Sequence, residues 1–261
     1  MPKPFLFEFE DLSWFPDMIR EGMTDYLRFI FTIGNLYKPI LPVLADAIQQ
    51  ANAKGIVDLC SGSGGPIEQV AILLAKQGIA IPITITDKFP NIPAFKLLHN
   101  KSKGIINYVS YPVDAMKVPP AIKGFRTIFS GFHHFSKPSA IAILNDTIAA
   151  NEGIAIFDGG DKSLLFILTV LLLQPVSFLS LTPFIKPFRW SRILFTYLIP
   201  LIPICTVWDG IVSTIRLHTV KELLSIAKAT NSVNYHWKAG KLRNKMGMHI
   251  AYLIGYPVVN E

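Results

Sequence analysis

The sequence is poor in charge and in cysteine. Only 16% of its 261 residues are charged while 51% are hydrophobic, and an average soluble protein has about 25% charged residues. This balance indicates that part of the surface contacts lipid or a partner. The two cysteines, Cys60 and Cys205, lie far apart and have no metal-ligand spacing. They argue against a disulfide framework and indicate a reducing compartment.

Signals for export, internal repeats and low-complexity linkers are also missing. The first apolar run, "MPKPFLFEFEDLSW", contains acids, which argues against a secretory signal peptide. A net charge of +7 indicates an anionic partner, either a membrane or a nucleic acid. The basic residues form no stripe interleaved with aromatic residues, and no Asn-Pro-Pro-Tyr-type segment is present. We therefore expect no nucleic-acid partner.

Between residue 55 and about residue 158, short apolar runs alternate with helical patterns. Strand, helix and strand at this spacing predict a parallel, doubly wound α/β sheet, which binds ligands at the carboxyl ends of its strands. The predicted strands are Gly55–Cys60, Pro82–Asp87, Ile106–Tyr111, Phe125–Ser130 and Gly153–Asp158, and the predicted helices are Pro66–Lys76, Asn91–Lys101 and Pro138–Ala149. A further helix, His218–Thr230, is expected with Thr219 as its N-cap and Glu222 three residues on, as in a capping box. A β-hairpin that turns at "KAGKLRNKMG" is expected after it.

The loop after the first strand, "VDLCSGSGG", lacks the features of a phosphate cradle. Gly62 and Gly64 fit the first two glycines of G-x-G-x-x-G, but the third position is Ile67. No Lys-Ser or Lys-Thr pair follows, which excludes a Walker-type loop. The acid before the loop, Asp58, would repel a phosphate and attract a cation, so a ligand with an amino group and a sulfonium suits it.

Acids follow the next two strands as well. Asp87 can accept hydrogen bonds from both hydroxyls of a ribose. Asp114, in "YPVDAMKVP", is placed to receive an adenine amino group. Three acids at three successive strand ends therefore describe a nucleoside with a positive tail.

These residues together resemble the class I S-adenosylmethionine-dependent methyltransferases. The matches are the Asp58 loop, Asp87, the Asp114–Met116 segment, "FSGFHHF" after the fourth strand, and the final helix and hairpin. The resemblance implies a mostly parallel, seven-stranded, Rossmann-like sheet and S-adenosyl-L-methionine as cofactor. It also implies the cofactor-binding residues Asp58, Cys60, Ser61, Gly62, Gly64, Asp87, Lys88, Asp114, Ala115 and Ser130. Cys60 departs from the family, which has a glycine there.

Methyl transfer requires the acceptor to be aligned and, where needed, deprotonated. His133 and His134 stand where the methyl group should point, so we interpret one of them as a base or positioning residue. The alternative is that one caps the following helix and the other packs. Predicted substrate residues are Tyr37, Asp158, Trp208 and Asp209, although Asp209-Gly210 also fits a simple turn; Trp14 and Arg20 are candidate lid residues.

Two uncharged stretches, from Ser163 to Ile185 and from Ile193 to Trp208, interrupt the fold. Strands on both sides belong to one sheet, so an odd number of membrane crossings is impossible, and two crossings would place the basic residues between the stretches on the far side. Repeated prolines are expected to break both stretches. We therefore predict an in-plane, monotopic insertion whose Lys186, Arg189 and Arg192 meet anionic headgroups. A lid over an apolar pocket or a dimer contact remains the alternative.

The sequence thus predicts an N-terminal helical cap (1–52), a methyltransferase core (53–160 and 208–261) and an apolar insertion (161–207). The predicted function is methyl transfer to a hydrophobic, lipid-like or isoprenoid small molecule at the cytosolic membrane face. The alternatives are a soluble methyltransferase of an aromatic metabolite and a non-catalytic binding protein. No metal is expected, and homo-oligomerisation is left open.

Overall fold

The computed structural model describes residues 6–230, 232 and 234–258. A seven-stranded sheet with the order β3-β2-β1-β4-β5-β7-β6 forms its centre. Strands β1 to β5 are parallel, and β7 enters antiparallel between β5 and β6. The strands are β1 Ile56–Leu59, β2 Ile83–Ile85, β3 Ile106–Tyr108, β4 Phe125–Phe129, β5 Ile154–Gly159, β6 Tyr235–Arg243 and β7 His249–Pro257. The predicted doubly wound, mostly parallel sheet is confirmed.

Helices cover both faces of the sheet and build the insertion. They are α1 Asp17–Ile33, α2 Leu41–Gln50, α3 Ile67–Ala75, α4 Ile92–Lys101, α5 Lys137–Ala149, α6 Leu164–Leu181, α7 Trp190–Ile193, α8 Leu201–Arg216 and α9 Val220–Lys228. One π-helical turn, Leu194–Leu198, lies between α7 and α8. Thr219 and Glu222 form the predicted capping box at the start of α9.

The final hairpin differs from the prediction in where it turns. Lys238 to Arg243 were expected in the turn, but they pair with β7 as far as Arg243 opposite His249. The turn is made by Asn244, whose backbone N–H donates to the carbonyl of Met248 at 2.9 Å. Lysine and arginine in β6 point their charges outward, so a polar stretch forms a solvated edge strand here. Residues 231 and 233, at the predicted start of this hairpin, lie outside the described residues.

The buried side chains form a cluster on each face of the sheet and a third one under the insertion. In the third cluster, Met23 and Tyr26 of α1 pack against Phe178 of α6 and Ile202 of α8. The rings of Tyr26 and Phe178 stack with centroids 3.6 Å apart. Helix α1 is therefore the element that joins the insertion to the rest of the molecule.

The insertion is more helical than its prolines predict. Pro175 lies inside α6 without ending it, and a sharp break of 79° occurs only between the α7 segment and α8. Asp209 and Gly210 belong to the interior of α8 and do not form the turn considered above. Helix α8 also runs across position 207/208, where the insertion was expected to end.

Lys186, Arg189 and Arg192 were expected to meet anionic headgroups. This expectation is wrong for Arg189 and Arg192. Arg192 is 1% exposed and donates to the Asp25 carboxylate of α1 at 2.6 Å. Arg189 donates to Asp25 at 3.2 Å and to Glu21 at 2.6 Å. A buried carboxylate needs charged partners, and these guanidinium groups supply them. Only Lys186 is exposed and available to a lipid headgroup.

Candidate active site

The loop after β1 takes a shape that most residues avoid. Cys60 has a φ of 56°, in the left-handed region where a side chain costs energy. The resemblance to the methyltransferase family implies a glycine at this position, and the left-handed backbone accounts for that preference. At Gly64, φ is 99°, and a Cβ would lie 2.1 Å from the Leu98 Cδ1 atom. Only glycine fits this position, so the loop's backbone is held open at the carboxyl end of β1.

Asp58 holds this loop against the sheet. Its two carboxylate oxygens accept hydrogen bonds from the hydroxyls of Ser61 and Thr127, both at 2.6 Å. Burial raises the pKa of Asp58 to about 7, and the two hydroxyl donors counter part of that rise. Both oxygens already have a partner, so the contacts of Asp58 are those of a residue that positions the loop.

The other two predicted nucleoside-binding acids lie at neighbouring strand ends. The Asp87 carboxylate accepts from the backbone N–H groups of Gly62 and Phe89, both at 2.7 Å. Burial raises its pKa. The N–H of Val113 donates to the carbonyl of Asp87 at 2.9 Å, which brings the exposed Asp114 alongside. The sheet order β3-β2-β1 thus assembles the predicted acids along one edge.

The remaining predicted cofactor residues near this edge differ in their exposure to solvent. Ser61 and Ala115 are buried, whereas Lys88 is exposed. Ser130 follows β4 with a φ of 48°, a second left-handed residue at a strand end. Its hydroxyl bonds the Tyr37 hydroxyl. Strained residues of this kind cluster at ligand sites.

A cavity of about 760 Å³ lies at the carboxyl ends of β4 and β5, where Ser130 and Gly159 line it. Its polar end is formed by residues from the strand ends and the N-terminal segment: Glu8, Glu10, Tyr37, Ser130, His133, His134 and Asp209. Its apolar walls come from α1 and α6 and include Leu27, Ile30, Phe31, Phe166, Val170 and Leu173, whereas α8 contributes polar residues such as Thr206 and Ser213. A ligand of mostly apolar character with one polar end matches this lining.

The two histidines face this cavity in different electrostatic settings. His133 is buried, and its Nδ1 donates to the Asp158 carboxylate at 3.1 Å. Among the described residues its Nε2 has no hydrogen-bond partner. Burial alone would raise the pKa of Asp158, but the charge and hydrogen bond of His133 outweigh it and lower that pKa. With Nδ1 occupied by Asp158, Nε2 is the ring nitrogen left for a ligand in the cavity that His133 lines.

His134 lies among acids from the N-terminal segment. Its Nδ1 is 2.9 Å from the Asp11 carboxylate, and its Nε2 is 3.5 Å from Glu8. Burial would lower its pKa, but the charges of Glu8 and Asp11 raise it to about 10. Without a further cation His134 is therefore protonated at neutral pH and cannot act as a base. The two histidines were expected to point to different sides, but both line the cavity. The interpretation of one of them as a base stays a prediction, and the protonation of His134 favours His133 for that role.

The N-terminal acids were missed as site residues. They were used only as evidence against a signal peptide, yet Glu8 is 1% exposed and faces the cavity. Asp209 accepts from the backbone N–H groups of Phe9 and Glu10 at 2.8 and 3.1 Å, which fixes the segment over α8. Burial and then the neighbouring Asp209 raise the pKa of Glu10 to about 8. Acids alternating with phenylalanines, "FEFED", were the available signal.

Of the predicted cofactor residues only Ser130 lines the cavity; those outside its lining are Asp58, Cys60, Ser61, Gly62, Gly64, Asp87, Lys88, Asp114 and Ala115. The predicted residues Asp158, Trp208, Trp14 and Arg20 lie outside it as well. Trp208 donates its indole N–H to the carbonyl of Phe7 at 3.0 Å, so it supports the N-terminal segment and not a ligand. Trp14 is 70% exposed. Arg20 is buried with its guanidinium 4.0 Å above the ring of Phe89. It therefore sits beside the Asp87 edge and not at the acceptor end.

Comparisons with known proteins find similarity in structure only. No family model matches the sequence, and none of the curated proteins matches it. The pyocyanin biosynthetic protein PhzM is 11% identical with a TM-score of 0.50, over 86% of this chain and 56% of that chain. The chain has the class I methyltransferase fold. At this identity the methyltransferase fold is all that the likeness establishes.

Two further solved structures are similar to this chain over nearly its whole length. A Rhodobacter sphaeroides protein, named only provisionally as a Zn-dependent alcohol dehydrogenase, is 10% identical with a TM-score of 0.53, over 93% of this chain and 98% of that chain. The plantazolicin methyltransferase BpumL, in complex with SAH, is 14% identical with a TM-score of 0.49, over 92% and 96%.

Proposed function

We propose that this protein transfers the methyl group of S-adenosyl-L-methionine to a hydrophobic, lipid-like or isoprenoid small molecule at the cytosolic face of a membrane. The observation that carries the proposal is the cavity. It joins the strand ends of a methyltransferase fold to helices whose outer faces are apolar and exposed.

The cofactor side of the proposal rests on the edge formed by Asp58, Asp87 and Asp114. Sheets of this kind bind ligands at the carboxyl ends of their strands, and BpumL has SAH bound. Asp87 has carboxylate oxygens suited to the ribose hydroxyls. The glycine loop held open by Asp58 leaves room for the methionine part of the cofactor.

Replacing Asp87 with alanine is expected to weaken S-adenosylmethionine binding more than tenfold. Hydrogen bonds to a charged group contribute about 1.5–3 kcal/mol, and this substitution removes both oxygen acceptors. Isothermal titration calorimetry measures the change. Asp46→Ala, an exposed acid on α2, is the matched control and should leave the affinity unchanged.

Asp87 also receives two backbone N–H groups, so each variant must first show a cooperative thermal transition. Asp87→Asn keeps an acceptor oxygen and the shape of the side chain. It should fall between wild type and Asp87→Ala. Wild-type affinity in a folded Asp87→Ala variant would contradict the ribose assignment.

The part of the proposal that concerns the methyl acceptor is supported by the walls of the cavity and by His133. The reacting methyl is expected between the Ser130 end of β4 and the His133 Nε2 atom. His133, oriented by Asp158, would activate or align the acceptor there. The apolar walls formed by α1 and α6 would hold the body of the acceptor, which favours a long apolar molecule over a small polar one.

The outer face of the insertion favours a membrane as the source of that acceptor. The segment Leu164–Phe184 is long and apolar enough to cross a bilayer, yet only 6% of its most apolar window is buried. Leu172, Val176 and Leu179 are 63%, 61% and 50% exposed. The opposite side of α6 packs on α8, where Val170 approaches Gly210. A one-sided helix of this kind is suited to lying in the interface.

We therefore predict that the protein co-sediments with both neutral and anionic liposomes without detergent. With Arg189 and Arg192 held by Asp25, apolar burial supplies most of the attachment, and each large side chain contributes about 1.5–3 kcal/mol. Leu172→Glu/Val176→Glu should reduce partitioning at least a hundredfold. Lys186→Gln should remove only a small, salt-sensitive part, about 1 kcal/mol.

Ile72→Glu is the control for the liposome experiment, because Ile72 is 46% exposed on α3 of the core. It should partition like wild type. A wild-type protein that stays in the supernatant with every lipid would contradict the membrane assignment. The cavity would then favour the soluble alternative, methylation of an aromatic metabolite.

A further inference from the structure

Three side chains at the polar end of the cavity converge on one point. Glu8, His133 and His134 each offer a ligand atom, and these three atoms lie within 4.8 Å of one another. Two come from the turn after β4 and the third from the N-terminal segment, so sequence spacing could not reveal the set. The His134 Nε2 to Glu8 Oε2 distance is 3.5 Å. Two ligands of a tetrahedral ion, with bonds of about 2.1 Å, lie about 3.4 Å apart.

The surroundings of both histidines orient their Nε2 atoms toward this point. His133 Nδ1 is 3.1 Å from the Asp158 carboxylate, and His134 Nδ1 is 2.9 Å from the Asp11 carboxylate. Metal-binding histidines have this arrangement, in which the second ring nitrogen donates to a carboxylate that fixes the ring. His133 is 4% exposed, and within the described residues its Nε2 has no hydrogen-bond partner.

Glu8 is held in the same way as a ligating carboxylate. Its Oε2 accepts from the Ser213 hydroxyl at 2.7 Å, and its Oε1 accepts from Arg216 at 2.9 Å. These contacts leave lone pairs on Oε2 free for a further partner. Side chains of α8 thus hold both carboxylate oxygens of Glu8, so the ligand oxygen has a fixed position.

We propose that Glu8, His133 and His134 bind a divalent transition-metal cation at the polar end of the cavity. Two imidazole nitrogens and one carboxylate oxygen suit zinc, manganese, iron or cobalt, and three protein ligands leave positions open toward the cavity. The carboxylates of Glu8, Asp11 and Asp158 lie beside the two imidazoles, and one guanidinium, Arg216, contacts Glu8. Such an excess of negative charge favours a doubly charged ion more than a single proton.

With the cation bound, His133 would act on the acceptor as a metal ligand. This part of the inference rests on the proposed function. An oxygen of the acceptor, from a hydroxyl or enol, would bind an open position and lose its proton to water, because a metal lowers the pKa of bound oxygen groups. Its lone pair would then form the O–CH3 bond. The carbon–sulfur bond would break toward sulfur, leaving neutral S-adenosylhomocysteine. The substrate class is therefore a hydrophobic molecule with an ionisable oxygen.

The experiment measures cobalt binding by chelator-treated protein, without cofactor or substrate. Calorimetry should give one Co²⁺ per chain, with the visible bands of a histidine-bound ion. His133→Gln and Glu8→Gln should each weaken binding at least tenfold to a hundredfold, the loss seen even for outer partners of metal ligands. His249→Gln is the control, because His249 also pairs with a carboxylate, Asp161 at 2.6 Å, but belongs to β7 and is not one of the three proposed ligands.

Wild-type binding no tighter than that of His133→Gln would overturn the proposal. If a variant fails to fold, the wild-type spectrum decides: bands of hydrated Co²⁺ alone overturn it, and those of a nitrogen-bound ion support it. Cobalt binding in a protein without methyl transfer would leave the metal site standing and remove the proposed function. Methyl transfer without cobalt binding would support the proposed function and overturn the metal site. His133 would then act directly on the acceptor.

Discussion

Replacing His133 with alanine is expected to slow methyl transfer by about 10²–10⁴-fold, the usual contribution of a group that moves or activates a proton. The affinity for S-adenosylmethionine should stay within a few-fold of wild type, because the three strand-end acids are untouched. His133 has this effect because its buried Nε2 faces the cavity while Asp158 fixes the ring. The rate of S-adenosylhomocysteine formation gives the measurement, with the acceptor identified by mass spectrometry of co-purified lipid.

The control for this experiment is His99→Gln, which removes a histidine of the core. His99 hydrogen-bonds the carbonyl of Ile106 at 2.9 Å and does not line the cavity. It should leave the rate within a few-fold of wild type. A folded His133→Ala protein with nearly wild-type rates would rule out activation by this side chain, and alignment of the acceptor alone would then carry the reaction. A protein that binds the cofactor but never turns over would support the non-catalytic alternative.

Replacing Asp25 with alanine is expected to lower the free energy of unfolding by about 3–5 kcal/mol, as when one partner of a buried ion pair is removed. Asp25 is fully buried and accepts hydrogen bonds from Arg192, Arg189 and Ser63. Its loss would leave the Arg192 guanidinium, 1% exposed, without its carboxylate. Urea denaturation monitored by circular dichroism measures the loss.

Asp17→Ala on the same helix is the matched control. Asp17 also pairs with an arginine, Arg20, but its side chain is 81% exposed. Exposed pairs contribute about 0–1 kcal/mol, so this variant should differ little from wild type. Asp25→Asn, which keeps acceptor capacity but not the charge, should lie between the two. A loss below about 1 kcal/mol for Asp25→Ala would show that the buried ion pairs do not hold the insertion to α1.

Sequence reasoning predicted the sheet because its signals are local. Apolar runs of strand length, helices between them and a capping box at Thr219 can each be read without knowing any distant contact. The strand-end acids could also be predicted, since parallel strands end at the same edge of a sheet. Four of the five predicted parallel strands are shorter than predicted. β1 and β4 end where Cys60 and Ser130 leave the extended region, and no local pattern encodes that turn.

The sequence by itself determined the α/β class, the order of strands and helices, the edge that holds Asp58, Asp87 and Asp114, and the apolar character of the insertion. Only the tertiary structure decided which charged side chains are buried in pairs and which are exposed. Arg189 and Arg192 meet Asp25, which precedes them by more than 160 residues, and Glu8 meets His133 and His134 across more than 120. Burying a charge costs free energy unless it is paired, so a buried charge has a partner that the fold brings beside it. Such partners depend on packing between distant segments and not on any spacing along the chain.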